Sequence, residues 1–221
     1  SVPGEDGKIL RILGRTEDIT REKQFQDEMQ QRLKQDDLTG LLNKSTAKSE
    51  IEAFLKENIH GTHALFLIDV DNFKCVNDTL GHLFGDNVLI NVAKKIQELF
   101  RGTDVVGRMG GDEFIVFMKH TDFYQAQMKA EKICKSTKQV YHGRDGEEIQ
   151  VSCSVGVALY GAMKESYNSL FSKADMAMYQ AKEAGKNQYR MAEGMDPLWK
   201  IRKASRIEVR DSQYKAGKMQ D

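Results

Sequence analysis

The segment LIDVDNFKCVNDTLGHLFGD, residues 67–86, carries most of the information about the fold. A predicted apolar strand, His63–Val70, runs into Asp69 and Asp71, and ligands commonly bind where strands end. Two carboxylates at the mouth of a strand suit a hard cation such as Mg²⁺, which takes its other ligands from water and phosphate. A solvated turn capped by aspartates fits this segment equally well, because such turns are common.

A second segment, RMGGDEF at residues 108–114, places two glycines before two acids. Gly110 and Gly111 lie between apolar runs, which predicts a β-hairpin and permits close approach of a phosphate. Consecutive strand residues point to opposite faces, so Asp112 and Glu113 cannot share one ligand unless the turn rotates one of them. Alone, a GGD triplet fits an ordinary hairpin whose acids blunt an edge strand.

Strands and helices alternate along the chain, and a hairpin lies at the centre. Strands are predicted over His63–Val70, Val105–Met109, Glu113–Met118 and Glu148–Tyr160, and amphipathic helices over Asp86–Phe100, Phe123–Val140 and Ser169–Ala184. The pattern predicts an α/β fold, with a ferredoxin-like, mainly antiparallel central sheet flanked by helices.

Composition narrows the range of partners. Thirty-three basic and 33 acidic residues give a formal net charge of zero, which argues against a nucleic-acid-binding surface but leaves a small phosphorylated ligand open. Cys75, Cys134 and Cys153 are odd in number and widely spaced, as expected in a reducing cytoplasm. The most apolar stretch, Ala64–Ile68, is too short to cross a bilayer, so we expect no membrane contact from this segment. The full-length protein could still be attached to a membrane elsewhere.

The two ends of the chain differ from its centre. Ile19–Lys34 lacks Gly and Pro and spaces Phe25, Met29 and Leu33 four residues apart, which predicts a connecting helix. Its pattern keeps no strict heptad, so a paired coiled coil is compatible but not demonstrated. Residues 192–221 are expected to be a tail or linker, with an exposed helix or a further domain left open.

Together the two central segments resemble the GGDEF family of diguanylate cyclases, because both occur complete and in the family's order. The resemblance covers about Asp36–Arg190 and includes DDLTGLLNK at 36–44, GHLFGD at 81–86 and ADMAMYQAKEAGKN at 174–187. It implies a palm-like nucleotide cyclase fold over residues 36–191. It also implies that two GTP molecules are condensed into cyclic di-GMP and two pyrophosphates.

The resemblance implies a metal site and a catalytic set. Asp69, Asp112 and the backbone carbonyl of Val70 match the family's metal ligands, with two Mg²⁺ per active site expected and Mn²⁺ possible. Asp112 matches the position credited with helping to deprotonate the attacking hydroxyl, and Glu113 matches an auxiliary acid. Two cations between carboxylates and a triphosphate would stabilise both the attacking and the leaving oxygens.

Three lysines and three further residues match the family's substrate contacts. Lys74, Lys182 and Lys186 match positions that neutralise the triphosphate, although a solvated position is the usual fate of lysine. The guanine readers correspond to Asn77 and Asp86, and a carboxylate can accept both N1–H and N2–H of guanine. His82 matches a residue that lines the nucleotide pocket, although it could simply begin a helix.

Arg101 and Asp104, in the sequence RGTD, stand at the interval of the family's inhibitory product site. An Arg fork and a carboxylate can hold the guanine edges and phosphates of cyclic di-GMP, so the product is expected to inhibit. An exposed ion pair is the alternative.

The departures from the family pattern are small. The entrance motif often ends in Arg but here ends in Lys44, which removes a bidentate contact. GRTEDITREK, residues 14–23, resembles the exit of a PAS sensor domain. Residues 1–18 are therefore expected to be the end of such a sensor, and residues 19–35 a signalling helix.

The product needs two GTP molecules, while one chain supplies one set of site residues, so we expect a homodimer. Two rival functions remain. Degenerate members of the family act as non-catalytic receptors for GTP or cyclic di-GMP, although these usually lose acids that this chain keeps. The second rival function is a purely structural dimerisation module, driven by the 19–34 helix.

Overall fold

The computed structural model describes residues 2–3, 9–11, 33–58, 60–142, 146–161 and 165–192. The chain divides into two units, residues 1–34 and 35–221. In the first unit, β1 (Val2–Pro3) pairs antiparallel with β2 (Ile9–Arg11). The predicted connecting helix and the tail after residue 192 lie outside the described residues, apart from a turn at residues 33–34.

The second unit is built on one sheet with helices on both faces. Its strands are β3 (Leu42–Asn43), β4 (His63–Asp71), β5 (Val105–Gly110), β6 (Glu113–Met118), β7 (Gln139–His142), β8 (Glu148–Tyr160) and β9 (Tyr189–Met191). Its described helices are α1 (Lys44–Glu57), α2 (Phe73–Leu80), α3 (His82–Leu99), α4 (Phe123–Thr137) and α5 (Tyr167–Glu183).

The strand order is β3-β5-β6-β4-β8-β7, and β9 pairs with β8. The pairings among β4, β5, β6, β7 and β8 are antiparallel, whereas β3·β5 and β8·β9 are parallel. This arrangement confirms the predicted α/β fold with a mainly antiparallel sheet. Within the described residues, no helix combines the length and the apolarity needed to cross a bilayer.

β4 forms the centre of the fold because all nine of its residues are buried between β6 and β8. Side chains alternate across a strand, so Phe66 and Ile68 pack into one core with α3 and α4. Leu65 and Leu67 pack into a second core with α1 and α5. The two cores fix the direction of β4 and therefore the place where its polar end emerges.

A glycine brings α5 directly onto the sheet. A Cβ at Gly156 of β8 would lie 2.0 Å from the carbonyl oxygen of Ala174 and 2.3 Å from the backbone nitrogen of Met178. Backbone atoms cannot move aside as a flexible side chain can. The absence of a side chain at Gly156 therefore sets the height of α5 above the sheet.

The structure departs from the sequence predictions mainly in short elements. α2 occupies residues for which no helix was predicted, and the helix predicted to reach Val140 ends at Thr137, before β7. β3 and β9 were not predicted, because two or three residues are too few to show a period.

Asp36 joins the start of this unit to the β5–β6 hairpin. Its carboxylate accepts hydrogen bonds from the backbone N–H and Oγ1 of Thr39, at 2.9 and 2.7 Å, and from Nη1 of Arg108 at 3.0 Å. The Arg108 guanidinium also donates to the carbonyl oxygen of Gly111, at 2.7 and 3.1 Å. Burial opposes ionisation of Asp36, but the bonds from Thr39 and Arg108 outweigh it and lower its pKa.

We predict that Asp36→Asn lowers the free energy of unfolding by about 1–3 kcal/mol at neutral pH, the range for hydrogen bonds to a charged group. Because folding lowers the pKa of Asp36, its contribution is present above about pH 4 and is lost as the pH falls through the folded pKa. Denaturant titrations from pH 7 to pH 3 should show the gap between parent and variant closing.

Asp37→Asn is the matched control, because Asp37 is the exposed neighbour. It should leave the stability close to that of the parent. An Asp36→Asn deficit of the same size at pH 3 and pH 7 would contradict the role assigned to the ionised carboxylate.

Candidate active site

A cavity of about 550 Å³ opens where β4 ends. Eleven residues line it: Asp69, Val70, Asp71, Asn72, Phe73, Lys74, Cys75, Asp78, Asp112, Lys182 and Lys186. The end of β4, the glycine hairpin, α2 and the end of α5 all contribute. The cavity therefore brings together all three predicted metal ligands and all three predicted phosphate-binding lysines.

Asp69 is one of two buried acids that line this cavity, with 7% of its surface exposed. Its Oδ2 forms an ion pair of 2.7 Å with Nζ of Lys182. Burial raises the pKa of Asp69 to about 6, and the charges of Asp112 and Glu113 push it in the same direction. Lys182 opposes the rise through its hydrogen bond and its charge, but burial and the neighbouring acids outweigh it.

The hairpin separates its two acids. Gly110 and Gly111 have φ angles of +123° and +57°, which residues with a side chain rarely adopt. Asp112 lies in the turn, accepts a backbone hydrogen bond from Val70 at 3.1 Å, and lines the same cavity as Asp69. Glu113 lines a neighbouring cavity of about 430 Å³ instead. The two consecutive acids therefore line different cavities.

Asp69 and Asp112 fit a divalent cation. A buried carboxylate whose pKa is raised by burial and by neighbouring acids is an environment in which a bound cation relieves repulsion. The described residues include no cluster of three or more His, Cys, Asp or Glu side chains arranged to hold a metal. Two carboxylates and a backbone carbonyl suit Mg²⁺, which keeps waters and takes further oxygens from phosphate.

Three lysines approach the cavity from different elements. Lys74 is exposed on α2, Lys182 lies on α5, and Lys186 follows α5 in a loop. Nζ of Lys186 donates a hydrogen bond of 2.8 Å to Oδ1 of Asn72. The cavity is therefore lined by lysines from α2 and from the end of α5.

Asn77, His82 and Asp86 lie outside the lining of this cavity, on α2 and α3. A Cβ at Gly85 would lie 1.9 Å from Oδ1 of Asn77, so the Asn77 carboxamide rests directly on the backbone of Gly85. Asp86 is the next residue of α3, whereas His82 is exposed. Asn77 of α2 therefore lies against the part of α3 that carries Asp86.

Asp71 also lines this cavity, but its carboxylate is engaged by donors from β8 and from the loop after α5. It is 2% exposed, and its carboxylate accepts hydrogen bonds from the hydroxyls of Ser152 and Ser154, both at 2.6 Å. The backbone N–H of Asn187 donates a third, at 3.0 Å. The paired aspartates at the end of β4 therefore have different partners.

The predicted product-site residues lie at the opposite end of the hairpin strands, outside the cavity lining. The Asp104 carboxylate accepts hydrogen bonds from the backbone N–H groups of Arg101 and Lys119, both at 3.0 Å. Arg101 itself is exposed. Asp104 thus fixes the turn after α3, and the Arg101 side chain extends from that turn.

A family model described as "Diguanylate cyclase, GGDEF domain" matches residues 33–188, more than half of the chain. The chain belongs to the GGDEF family.

Curated relatives carry names that agree with this assignment. Diguanylate cyclase A of Treponema denticola is 40% identical over 136 residues, which are 62% of this chain and 37% of that protein. Diguanylate cyclase TpbB of Pseudomonas aeruginosa is 37% identical over 165 residues, which are 73% of this chain and 38% of that protein. This GGDEF domain chain thus spans well under half of the length of these two relatives.

Solved GGDEF domains share the fold. The coiled coil and GGDEF domain of DgcB from Caulobacter crescentus, in complex with c-di-GMP, matches with a TM-score of 0.72 at 26% identity, covering 79% of this chain and 93% of that one. The GGDEF domain of TpbB from Pseudomonas aeruginosa matches with a TM-score of 0.66 at 36% identity, covering 74% and 96%. These likenesses confirm the palm-like α/β fold.

Sequence reasoning assigned no role to several residues that shape the site of this GGDEF domain. The second glycine of GHLFGD, Gly85, was available as a clue, because a glycine inside a helical pattern often marks close packing. Ser152, Ser154 and Asn187 had no comparable signal. They meet Asp71 only because β8 and the loop after α5 come together in the folded chain.

Proposed function

We propose that this GGDEF domain condenses two GTP molecules into cyclic di-GMP, with release of two pyrophosphates and dependence on Mg²⁺ or Mn²⁺. The observation that carries the proposal is the cavity that joins Asp69 and Asp112 to three lysines. Carboxylates suit the cation and ammonium groups suit a triphosphate. The names of the cyclase relatives supply further support.

The proposed reaction is a nucleotidyl transfer. The 3′-oxygen of one GTP attacks the α-phosphorus of the other, and the bond from that phosphorus to pyrophosphate breaks. Bound divalent cations would stabilise charge on the attacking and leaving oxygens. Asp112 takes the hydroxyl proton, while Lys74, Lys182 and Lys186 hold the triphosphate and reduce its charge. Glu113, from the adjoining cavity, acts as an auxiliary acid.

Guanine selection is assigned to Asn77 and Asp86, with His82 at the edge of the pocket. A carboxylate accepts from N1–H and N2–H of guanine, a donor pair that adenine lacks. Support comes from Gly85, which leaves room for the Asn77 carboxamide beside Asp86.

We predict that Gly85→Ala keeps the fold but weakens GTP binding by about tenfold, equivalent to about 1.4 kcal/mol. The added methyl would occupy the place of Oδ1 of Asn77, at 1.9 Å, and a side-chain end can turn aside. Titration calorimetry with an unreactive GTP analogue would measure the loss. Gly161→Ala is the control, because no atom lies within 4 Å of a Cβ there. Equal losses in both variants would disprove the assignment.

The central prediction is that the parent protein, with Mg²⁺ and GTP, forms cyclic di-GMP and that Asp112→Ala does not. A fall of about 10³-fold or more in turnover is expected, because Asp112 serves both the cation and the proton. Chromatographic separation of the nucleotides measures it, and Glu98→Ala, an exposed acid of α3, is the control. GTP or product binding by a parent without turnover would favour the receptor instead.

We also propose that the enzyme works as a homodimer in which each protomer supplies half of the reaction site. The product has two equivalent bonds, and each is formed between nucleotides held by different protomers. The surface beside the second cavity supports this arrangement. Met176 and Tyr179 of α5 are exposed there, at 63% and 62%, next to Glu113 and Lys182.

Specific activity should therefore rise with protein concentration, and Tyr179→Glu should shift the rise to higher concentration by placing a charge in the contact. Tyr124→Glu is the control, since Tyr124 is also exposed but belongs to α4, against the other face of the sheet. A dilution series monitored by light scattering checks both. Flat specific activity in purely monomeric samples would eliminate the half-site mechanism.

Inhibition by cyclic di-GMP is proposed at Arg101 and Asp104. The turn presents the Arg101 guanidinium to solvent, while Asp104 is engaged by backbone N–H groups. Arg101 is therefore the better probe, because replacing Asp104 would also disturb the turn.

We predict that Arg101→Ala raises the inhibition constant of cyclic di-GMP by about tenfold or more, because an arginine–phosphate contact is lost. The initial rate should not change. Progress curves with added product measure it. Arg190→Ala, an exposed arginine of β9, is the control. Unchanged inhibition in Arg101→Ala would leave Arg101 as an ordinary surface residue.

For the rest of the chain, we propose the end of a PAS-like sensor over residues 1–18 and a signalling helix over 19–35. The cyclase domain spans 36–191 and a tail or linker 192–221. The sensor would set the pairing of two cyclase domains through the helix. The match that begins at residue 33 supports the boundary at the cyclase end.

A further inference from the structure

Asp71 has no part in the mechanism above, yet it is the more deeply buried acid at the end of β4, at 2% exposure against 7% for Asp69. Both of its oxygens are used. Ser154 donates to Oδ1, and Ser152 and the backbone N–H of Asn187 donate to Oδ2. All three donors are neutral groups. A buried carboxylate of this kind acts as a fixed point to which several segments are attached.

The loop held by Asp71 has a strained backbone. Gly185, Lys186 and Asn187 have φ angles of +110°, +61° and +48° in succession. Glycine adopts this region freely, but for the other two it is unfavourable and persists only where surrounding contacts impose it. The hydrogen bond from Asn187 to Asp71 is such a contact. Asn187 directly follows Lys186, which lines the cavity.

A second contact joins the same two segments. Asn72, directly after Asp71, has a φ angle of +61°, and its Oδ1 accepts the 2.8 Å hydrogen bond from Nζ of Lys186. Two adjacent residues at the end of β4 therefore hold two adjacent residues of the loop. The first contact fixes the backbone of the loop, and the second orients the lysine side chain.

We propose that Asp71 is a positioning residue for the substrate triphosphate, which acts by holding the loop that carries Lys186. It is neither a ligand of the cation nor a donor or acceptor of the reacting proton. This inference rests on the proposed function, because it takes Lys186 to contact the triphosphate. It assigns different work to the two aspartates of the sequence DVD.

Two variants of Asp71 separate this role from that of a cation ligand. In Asp71→Asn the remaining oxygen can still accept from Asn187 and Ser152, while the new amide donates to the Ser154 hydroxyl, which can rotate to accept. In Asp71→Ala all three donors lose their partner. Asparagine should therefore preserve the loop, whereas alanine should release it.

The test is a double-mutant cycle on binding, which needs no turnover. The probe is a GTP analogue with a methylene group between its α- and β-phosphorus atoms, titrated calorimetrically in Mg²⁺. Asp71→Ala and Lys186→Ala should each weaken binding about tenfold, and Asp71→Asn less than about threefold. Asp71→Ala added to Lys186→Ala should cost little more, because the lysine that it positions is gone. GMP, which lacks the outer phosphates, should bind the parent and all four variants alike.

Any of three results would overturn the proposal. The affinity losses of the two single variants could add in the double variant, the affinity for GMP could fall as much as that for the analogue, or Asp71→Asn could bind the analogue as weakly as Asp71→Ala. If Asp71→Ala does not fold, Ser152→Ala combined with Ser154→Ala replaces it, since this pair loosens the carboxylate and leaves Asp69 intact. That pair should weaken binding of the analogue and leave binding of GMP unchanged. Unchanged binding of the analogue would refute the role of Asp71. A parent that binds no analogue would defeat the proposed function itself, whereas a binding parent with additive losses defeats only the role of Asp71.

Discussion

The burial of β4 on both faces is the constraint on which the rest of this domain depends. Its side chains alternate between two cores, and β6 and β8 use its backbone hydrogen bonds on both edges. A strand held in this way cannot slip in register, because a shift of one residue would exchange the two faces. Asp69 and Asp71 therefore lie in fixed positions at the C-terminal end of this central strand.

The acids and lysines of the site come from separate parts of the fold, and different packing and hydrogen-bond contacts hold them in place. Arg108 ties the glycine hairpin to the entrance at Asp36, so the position of Asp112 depends on how the chain enters the domain. The close packing of α5 on Gly156 sets the height from which Lys182 reaches Asp69.

The pKa shift in the cavity comes from the local burial and arrangement of its acids, because the whole chain has a formal net charge of zero. Asp69 carries a pKa of about 6 because it is buried beside other acids, and its ion pair with Lys182 offsets only part of that cost. A site of this kind costs stability when empty of cations and recovers it on binding them.

The sequence by itself determined the alternation of strands and helices, the central hairpin, and the polar residues that end β4. These features are local, since side-chain periodicity, glycine conformations and strand ends are all properties of short segments. Only the tertiary structure decided which of the paired acids faces which cavity. Asp112 and Glu113 part because of the hairpin geometry, and Asp69 and Asp71 part because Ser152, Ser154 and Asn187 surround the second of them. Such partners lie about 80 to 115 residues away along the chain, and no local pattern can encode a contact that exists only after the sheet has assembled.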